Sequence, residues 1–328
     1  MQMVRLGKQG PVVSRLSIGT WTFAGDAIWS SVEEKECVGV IHAAMDAGVN
    51  LFDSAPNYGS GRSERVLGLA LQGRPDALVA TKFKVDGKTP ADLVRMVDES
   101  LRRLGREAID IMQIHWPTEH KSELDAAFET LAGLRSAGKI RYLGVCNFGK
   151  RDLQDHHGRD FISNQLPYSL MWRVVENGIA EKSKELGLGV IAYSPLQQGL
   201  LSGKYQSLAQ FPANRKQTRH FSSAWAATRH KEPGMEAQTE ICLQGFNSIA
   251  LETGIAPTNL ALAYVLQRPF IDVALAGARS VAQLEELLTT FTVELDSTVV
   301  ARLDAVSKDL LLATGDNPDM YQSIGRVH

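Results

Sequence analysis

The chain has 328 residues, 44% hydrophobic and 22% charged, with a formal net charge of −2. That composition buries a large core, and the near balance of 35 basic and 37 acidic side chains excludes the broad basic face that binds nucleic acid or an anionic membrane. Cys37, Cys146 and Cys242 are an odd, widely spaced set that makes neither a disulfide framework nor a metal-ligand pattern, so reduced thiols and no metal are expected.

The first ten residues, MQMVRLGKQG, lack the apolar core of a signal peptide, and no stretch approaches the roughly 20 apolar residues that span a bilayer. A cytoplasmic protein is the expectation. Residues 4–16 read as two short strands around a Gly-Pro turn, a hairpin. From there on, short apolar runs rich in β-branched residues alternate with longer segments of helical period. Runs ending near Gly19, Asp53, Lys82, His115, Val145, Gln165, Ser194 and Ala276 read as strands, and their lack of polar alternation points to a parallel sheet covered by helices. Ser31 with Glu34 predicts a capping box, and Gly48 ends that helix. Thr89 and Pro90 open another, whose Leu93, Met96, Val97, Leu101 and Leu104 form one apolar stripe. Ser122 and Asp125 open the next, which Gly138 closes.

The first five strand ends fall 34, 29, 33 and 30 residues apart, the size of one βα unit. Eight such strands, with no GxGxxG after the first, predict an α/β fold of one domain over residues 1–328. This is a closed (β/α)8 TIM barrel rather than a doubly wound sheet, with the hairpin closing its bottom. The interval from Ser194 to Ala276 is longer, 82 residues. Within it, 196–235 is a polar, basic loop (Arg215, Lys216, Arg219, Arg229, Lys231) expected on the C-terminal face. The sequence leaves open whether that loop clamps phosphates or is merely solvated, and whether the polar tail at 311–328 covers the barrel mouth.

Active sites of such barrels sit at the C-terminal ends of the strands. Asp53, Tyr58, Lys82 and His115 fall there on three consecutive strands. A tyrosine hydroxyl is a poor acid at neutral pH until its phenolate is stabilised; an ammonium does that, and a carboxylate keeps a buried ammonium paired. A neighbouring histidine orients a carbonyl oxygen or relays a proton. The set suits protonation of a carbonyl oxygen while hydride arrives from a nicotinamide.

The segment GVNLFDSAPNYGSGRSERVLG (48–68) resembles the signature of the aldo-keto reductases. DALVATKF (76–83), DIMQIHWP (110–117), GKIRYLGVCNF (138–148), VIAYSPLQQGLLSGKY (190–205) and AGARSVAQLEELL (276–288) follow in that family's order. The resemblance runs from about residue 4 to 310 and implies an NADP(H)-dependent oxidoreductase that interconverts carbonyls and alcohols. It implies Tyr58 as general acid and base, tuned by Lys82 and Asp53, with His115 positioning the carbonyl. Asn147 and Gln165 would bond the nicotinamide carboxamide, and Tyr193 would stack on its ring. Ser194, Leu196 and the backbone through Gly199, Leu201 and Gly203 would cradle the pyrophosphate, while Gly277, Arg279, Gln283 and Glu286 would hold the adenosine end. Gly19, Thr20 and Trp21 would flank the cofactor, Asp53 would belong to both sets, and Trp21 and Trp116 would wall the substrate pocket with Tyr58 and His115. NADPH is expected over NADH, because the Arg279 fork suits a 2′-phosphate and a helix N-terminus near Ser280 adds backbone donors.

Two residues depart from the family pattern. Cys146 replaces a serine, a weaker donor beside the carboxamide, and Leu287 replaces an asparagine near the adenine. Plainer readings stand beside these roles. Asp53, Lys82 and His115 also fit a structural ion-pair network, Ser280 with Gln283 an ordinary helix cap, Cys146 a packed small residue, and Trp21 and Trp116 rim packing. Two other functions compete: a Lys82 Schiff-base lyase, and a non-catalytic nicotinamide-sensing barrel like those that serve ion channels. The expected partner is a small carbonyl or alcohol, with a monomer as the default.

Overall fold

A computed structural model of the chain describes residues 1–322 and 327. Strands β1 (Met3–Arg5) and β2 (Val12–Ser14) pair antiparallel as the expected hairpin. Eight parallel strands then close a barrel: β3 (Leu16–Gly19), β4 (Leu51–Asp53), β5 (Leu78–Phe83), β6 (Ile109–Ile114), β7 (Ile140–Cys146), β8 (Ser163–Pro167), β9 (Gly189–Tyr193) and β10 (Val273–Ala276). The last, β10, pairs with β3 to complete the ring. Every strand end read from the sequence lies within two residues of the observed one. The helices are α1 (Glu34–Asp46), α2 (Arg62–Ala70), α3 (Pro90–Leu104), α4 (Lys121–Ser136), α5 (Lys150–Asp155), α6 (Ile179–Glu185), α7 (Glu236–Thr253), α8 (Pro257–Leu266), α9 (Val281–Thr289) and α10 (Ser297–Thr314). No single helix among the described residues is long and apolar enough to cross a membrane.

Side chains on a strand alternate between its two faces, and this places two cores. The larger lies between the outward strand faces and the helices and includes Phe52, Val79, Met112 and Leu143. The smaller fills the barrel with Leu51, Ala80, Ile111, Ile191 and Val273, joined by Leu6 and Val13 from the hairpin. One step further along the inward face, four strands change chemistry: Leu51 gives way to Asp53, Ala80 to Lys82, Ile111 to Gln113 and Ile191 to Tyr193. The barrel is thus an apolar plug below a polar layer. Gly144 makes room between them, since a Cβ there would sit 2.9 Å from Ser163 Oγ and 3.0 Å from Gln113 Cγ.

The caps differ in part from the expectation. Thr89 accepts from Asp92 N, and Asp92 returns a bond to the Thr89 N–H, a full capping box. The box expected from Ser31 and Glu34 does not form; α1 starts at Glu34 with Glu33 as an extended N-cap. Arg62 explains this, because its guanidinium donates to the carbonyls of Phe23 and Val32 and holds the chain extended through that point. Helix α4 likewise opens at Lys121 with His120 at its cap, ahead of Ser122. Asp125 instead pairs with Arg159 at 2.6 Å. Ser280 caps α9 through Gln283 N, but the Gln283 side chain accepts from Arg279 N at 2.9 Å rather than from the cap residue.

Leu6 is fully buried in the plug. Leu6→Ala removes its contacts at a site the rigid strand ends cannot collapse into, and should cost about 2–5 kcal/mol. A urea titration should register this as a lower midpoint, with an unchanged far-UV circular dichroism spectrum for the folded protein.

Candidate active site

The polar layer is organised around one carboxylate. Asp53, 2% exposed at the end of β4, accepts from the Lys82 ammonium through Oδ1. Its Oδ2 accepts from Gln113 Nε2 at 3.1 Å and Gln165 Nε2 at 2.9 Å. Lys82, 1% exposed, also donates to the Ser54 carbonyl at 2.8 Å. A buried ion pair persists only when its remaining lone pairs and protons are bonded, and the two glutamine amides and the backbone carbonyl meet that condition. Burial alone would lower the Lys82 pKa, but Asp53 and the nearby Tyr58 and Cys146 overturn this and raise it, so the ammonium is held charged. A Schiff-base lysine needs the opposite, an accessible neutral amine, so the geometry argues against the lyase reading.

Tyr58 reaches this pair from the loop after β4. Its ring centroid lies 5.2 Å from Lys82 Nζ. The next residue, Gly59, has φ 57°, and a Cβ there would overlap the backbone carbonyl of Ala24; only glycine lets the loop pass so closely. Burial pushes the Tyr58 pKa up, and the Lys82 ammonium partly offsets that. Around Tyr58 runs a continuous aromatic wall. Trp21 stacks on it at 6.0 Å, His115 meets it edge-on at 6.4 Å, and Trp116 stacks on His115 at 6.3 Å. All four line one cavity of about 490 Å³ at the barrel mouth.

The expected cofactor residues divide. Gly19, Asp53, Asn147, Gln165, Tyr193 and Ser194 line the cavity on its barrel side, and Leu196, Gly199, Gly277, Arg279, Gln283 and Glu286 line its other end. Thr20, Leu201 and Gly203 stand back from it. The Thr20 hydroxyl donates to the Asp53 carbonyl at 3.1 Å, Leu201 is fully buried in the outer core, and Gly203 packs against Pro257. Lys82 too lies behind the wall rather than on it. Asn147, at φ 63°, spends its amide on the His115 carbonyl at 3.0 Å and on the Tyr193 hydroxyl at 2.8 Å. Gln165 Nε2 is taken by Asp53 and Gln113, so its Oε1 is the atom left to accept from a ligand amide. Cys146 packs in the polar layer with its thiol donating to Gln113 Oε1 at 3.5 Å. Burial pushes its pKa up and keeps it a thiol. Leu287 lines the cavity beside Gln283 and Glu286.

Gln113 escaped the sequence reading. Its signal was a lone amide inside the apolar run IDIMQI, two positions before His115 and so on the same face. Trp29 also escaped the sequence reading, and the sequence left open which arginines of the 196–235 loop turn toward a ligand. Arg215 lies 4.5 Å over the Trp29 ring, Asn214 donates to the Ala27 carbonyl at 2.6 Å, and Arg279 donates to Ser30 O and Oγ at 2.9 and 2.8 Å. The loop at 196–235 is therefore divided: Arg215 and Arg229 face the cavity, whereas Arg219 is buried and Lys216 lies 3.8 Å over the Trp225 ring. The tail reaches the mouth through Tyr321, which lines the cavity; residues 323–326 and 328 lie outside the described residues. No cluster of three His, Cys, Asp or Glu placed to hold a metal occurs among the described residues.

The end of the cavity lined by Arg215 and Arg279 suits an anionic ligand. Arg215 and Arg279 each have a buried Nε with no partner. Burial lowers the Arg215 pKa, Tyr205 partly offsets this, and the nearby Arg279 adds to the lowering. Guanidiniums gathered on one groove suit the binding of phosphate oxygens.

The sequence matches the model of the Aldo/keto reductase family over residues 15–308. It is 31% identical to the aldo-keto reductase YhdN of Bacillus subtilis, over 88% of each chain. It is 28% identical to an NADH-specific methylglyoxal reductase of Escherichia coli, over 90% of this chain and 95% of the relative. The structure superposes on the glycerol dehydrogenase AKR11B4 of Gluconobacter oxydans with a TM-score of 0.77 and 31% identity, covering 96% of this chain and 97% of the other. The barrel, its mouth and these matches agree: the chain belongs to the aldo/keto reductase family, whose chemistry is nicotinamide-dependent carbonyl reduction.

Proposed function

We propose that this chain reduces aldehydes or ketones with NADPH, and runs the reverse alcohol oxidation, with Tyr58 as general acid and base. The observation that carries the reading is the Tyr58 ring set 5.2 Å from a buried ammonium paired to Asp53, in a cavity whose far end holds two unpartnered guanidinium nitrogens. The bound dinucleotide supplies hydride to the carbonyl carbon. Tyr58 donates its phenolic proton to the carbonyl oxygen, and the Lys82 ammonium stabilises the phenolate left behind. Asp53 keeps that ammonium paired, and Gln113 and Gln165 keep Asp53 bonded. His115 positions the oxygen opposite Tyr58, and the indoles of Trp21 and Trp116 exclude water from the reacting face.

Gln165 Oε1 and the residues near Ser194 would hold the nicotinamide half, and Arg215, Arg279 and the start of α9 the phosphate-bearing half. The preference for NADPH rests on Arg279, which lines that end of the cavity with its Nη2 oriented by Ser30. Glu286 also lines that end and works against a second negative charge, so the preference depends on the arginine. Arg279→Ala should weaken NADPH binding by about tenfold or more, the value of a charge-assisted hydrogen bond, and change NADH binding little. Quenching of tryptophan fluorescence during titration measures both; equal loss for the two nucleotides would remove Arg279 from the 2′-phosphate.

Tyr58→Phe should lower kcat for carbonyl reduction by about 10²–10⁴-fold while NADPH affinity stays within twofold of wild type, roughly the scatter expected of a conservative change. Retention of near-wild-type turnover would assign the proton donor elsewhere. Because burial outweighs Lys82 in raising the Tyr58 pKa, the hydroxyl remains protonated through neutral pH. The kcat/KM of reduction should therefore be flat across neutral pH. Alcohol oxidation needs the phenolate and should rise with pH to an inflection above the ordinary tyrosine range. An oxidation profile that levels off near neutrality would contradict this.

A further inference from the structure

The substrate end of the cavity has one wall with no part in the chemistry above. The C-terminal tail builds it, and a buried arginine fixes the tail. Arg219, with its side chain 7% exposed, pairs with Glu232 at 2.8 Å and donates to the carbonyls of Asn317, Asp319 and Thr314 at 3.0, 3.3 and 3.1 Å. Its own backbone N–H bonds the Met320 carbonyl at 2.9 Å. Asp319 then caps the turn, its carboxylate accepting from Tyr321 N at 2.8 Å and Gln322 N at 3.0 Å. These bonds over-determine one side chain. The Tyr321 ring meets Trp116 edge-on at 6.3 Å and extends the aromatic wall that starts at Trp21.

The Tyr321 hydroxyl is oriented as well as placed. It accepts from Gln198 Nε2 at 3.2 Å, and Gln198 Oε1 accepts in turn from Gln217 Nε2 at 3.2 Å. All three residues line the cavity. Gln198 is held in the left-handed region at φ 55°, ψ 28°, a conformation that costs a non-glycine residue about 1–2 kcal/mol, and strain of this kind collects at ligand sites. With the acceptor side of the oxygen taken by Gln198, the phenolic proton is the group offered to the cavity. Burial and the neighbouring Tyr58 push the Tyr321 pKa up, which keeps that proton in place.

We propose that Tyr321, backed by Gln198 and Gln217, is the specificity-determining residue of the substrate end: its hydroxyl donates a hydrogen bond to an oxygen that the substrate carries away from the reacting carbonyl. Hydroxylated carbonyl compounds then turn over in preference to alkyl ones of equal length. The proposal rests on the carbonyl-reductase reading of Tyr58. An alkyl substrate leaves the phenolic proton without an acceptor, and discrimination by an unpaired buried donor is stronger than discrimination by a missing methylene.

The test compares glyceraldehyde and erythrose with propanal and butanal, in wild type, Tyr321→Phe and Gln198→Met. In Tyr321→Phe, kcat/KM for the hydroxylated pair should fall by about tenfold, mainly through KM, while the alkanals change by less than about twofold. Gln198→Met should show the same pattern with a smaller loss, because the hydroxyl stays but is no longer oriented. Equal losses in both series, or no loss in either, would overturn the proposal and leave Tyr321 as wall packing. Failure of wild type to reduce any of the four with either nicotinamide cofactor would overturn the carbonyl reading itself, a result distinct from both.

Discussion

Everything at the barrel mouth depends on Asp53 being buried as an anion. An isolated carboxylate in that position would neutralise itself or destabilise the fold by several kcal/mol. The chain surrounds it with donors from three other strands: Lys82 on β5, Gln113 on β6 and Gln165 on β8. These bonds fix the ammonium, and the ammonium sets the electrostatics of Tyr58. The same carboxylate thus closes the polar layer and holds the ammonium beside Tyr58. The proposed proton transfer would use this same network, so the structural and the catalytic readings of the ion pair do not compete.

The separation into layers is what lets a strained and polar site exist. Below, Leu51, Ala80, Ile111, Ile191 and the hairpin residues Leu6 and Val13 form a dry plug that supplies burial energy without any role in chemistry. Above, residues with unfavourable local conformations accumulate: Asn147, Ser194, Gln197 and Gln198 all have positive φ. Such residues persist only where surrounding structure over-determines them. The loops complete the mouth from both sides, with Ala27 to Ser30 fastened to Asn214 and Arg279, and the tail fastened to Arg219.

Much of this was legible before any coordinates. The period of the strands and the even spacing of their ends gave the barrel, because a parallel strand buried on both faces has few polar residues and each βα unit has a characteristic length. The tetrad was legible because strand ends of a barrel converge by geometry, whatever the loops do. Helix caps were less so. The Ser31 box failed because Arg62 claims the Val32 carbonyl, a contact from a residue thirty positions away that no local pattern encodes. Gln113 was in view but unread, since a single amide in an apolar strand acquires its meaning only from Asp53 opposite. Thr20, Leu201 and Gly203 sit in the right segments yet stand back from the cavity, because a segment's place at the mouth does not fix which of its residues line it.

The sequence by itself determined the strand and helix succession, the barrel closure and the placement of Asp53, Tyr58, Lys82 and His115 at one end. Periodicity and chain spacing are local quantities, and they suffice for these. Only the tertiary structure decided which polar groups satisfy one another: the two glutamines on Asp53, the pairing of Arg279 with Ser30, and the Arg219 clamp that brings Tyr321 to Trp116. Those contacts join residues up to about 250 positions apart, and a buried donor finds its acceptor only when packing has chosen the neighbour.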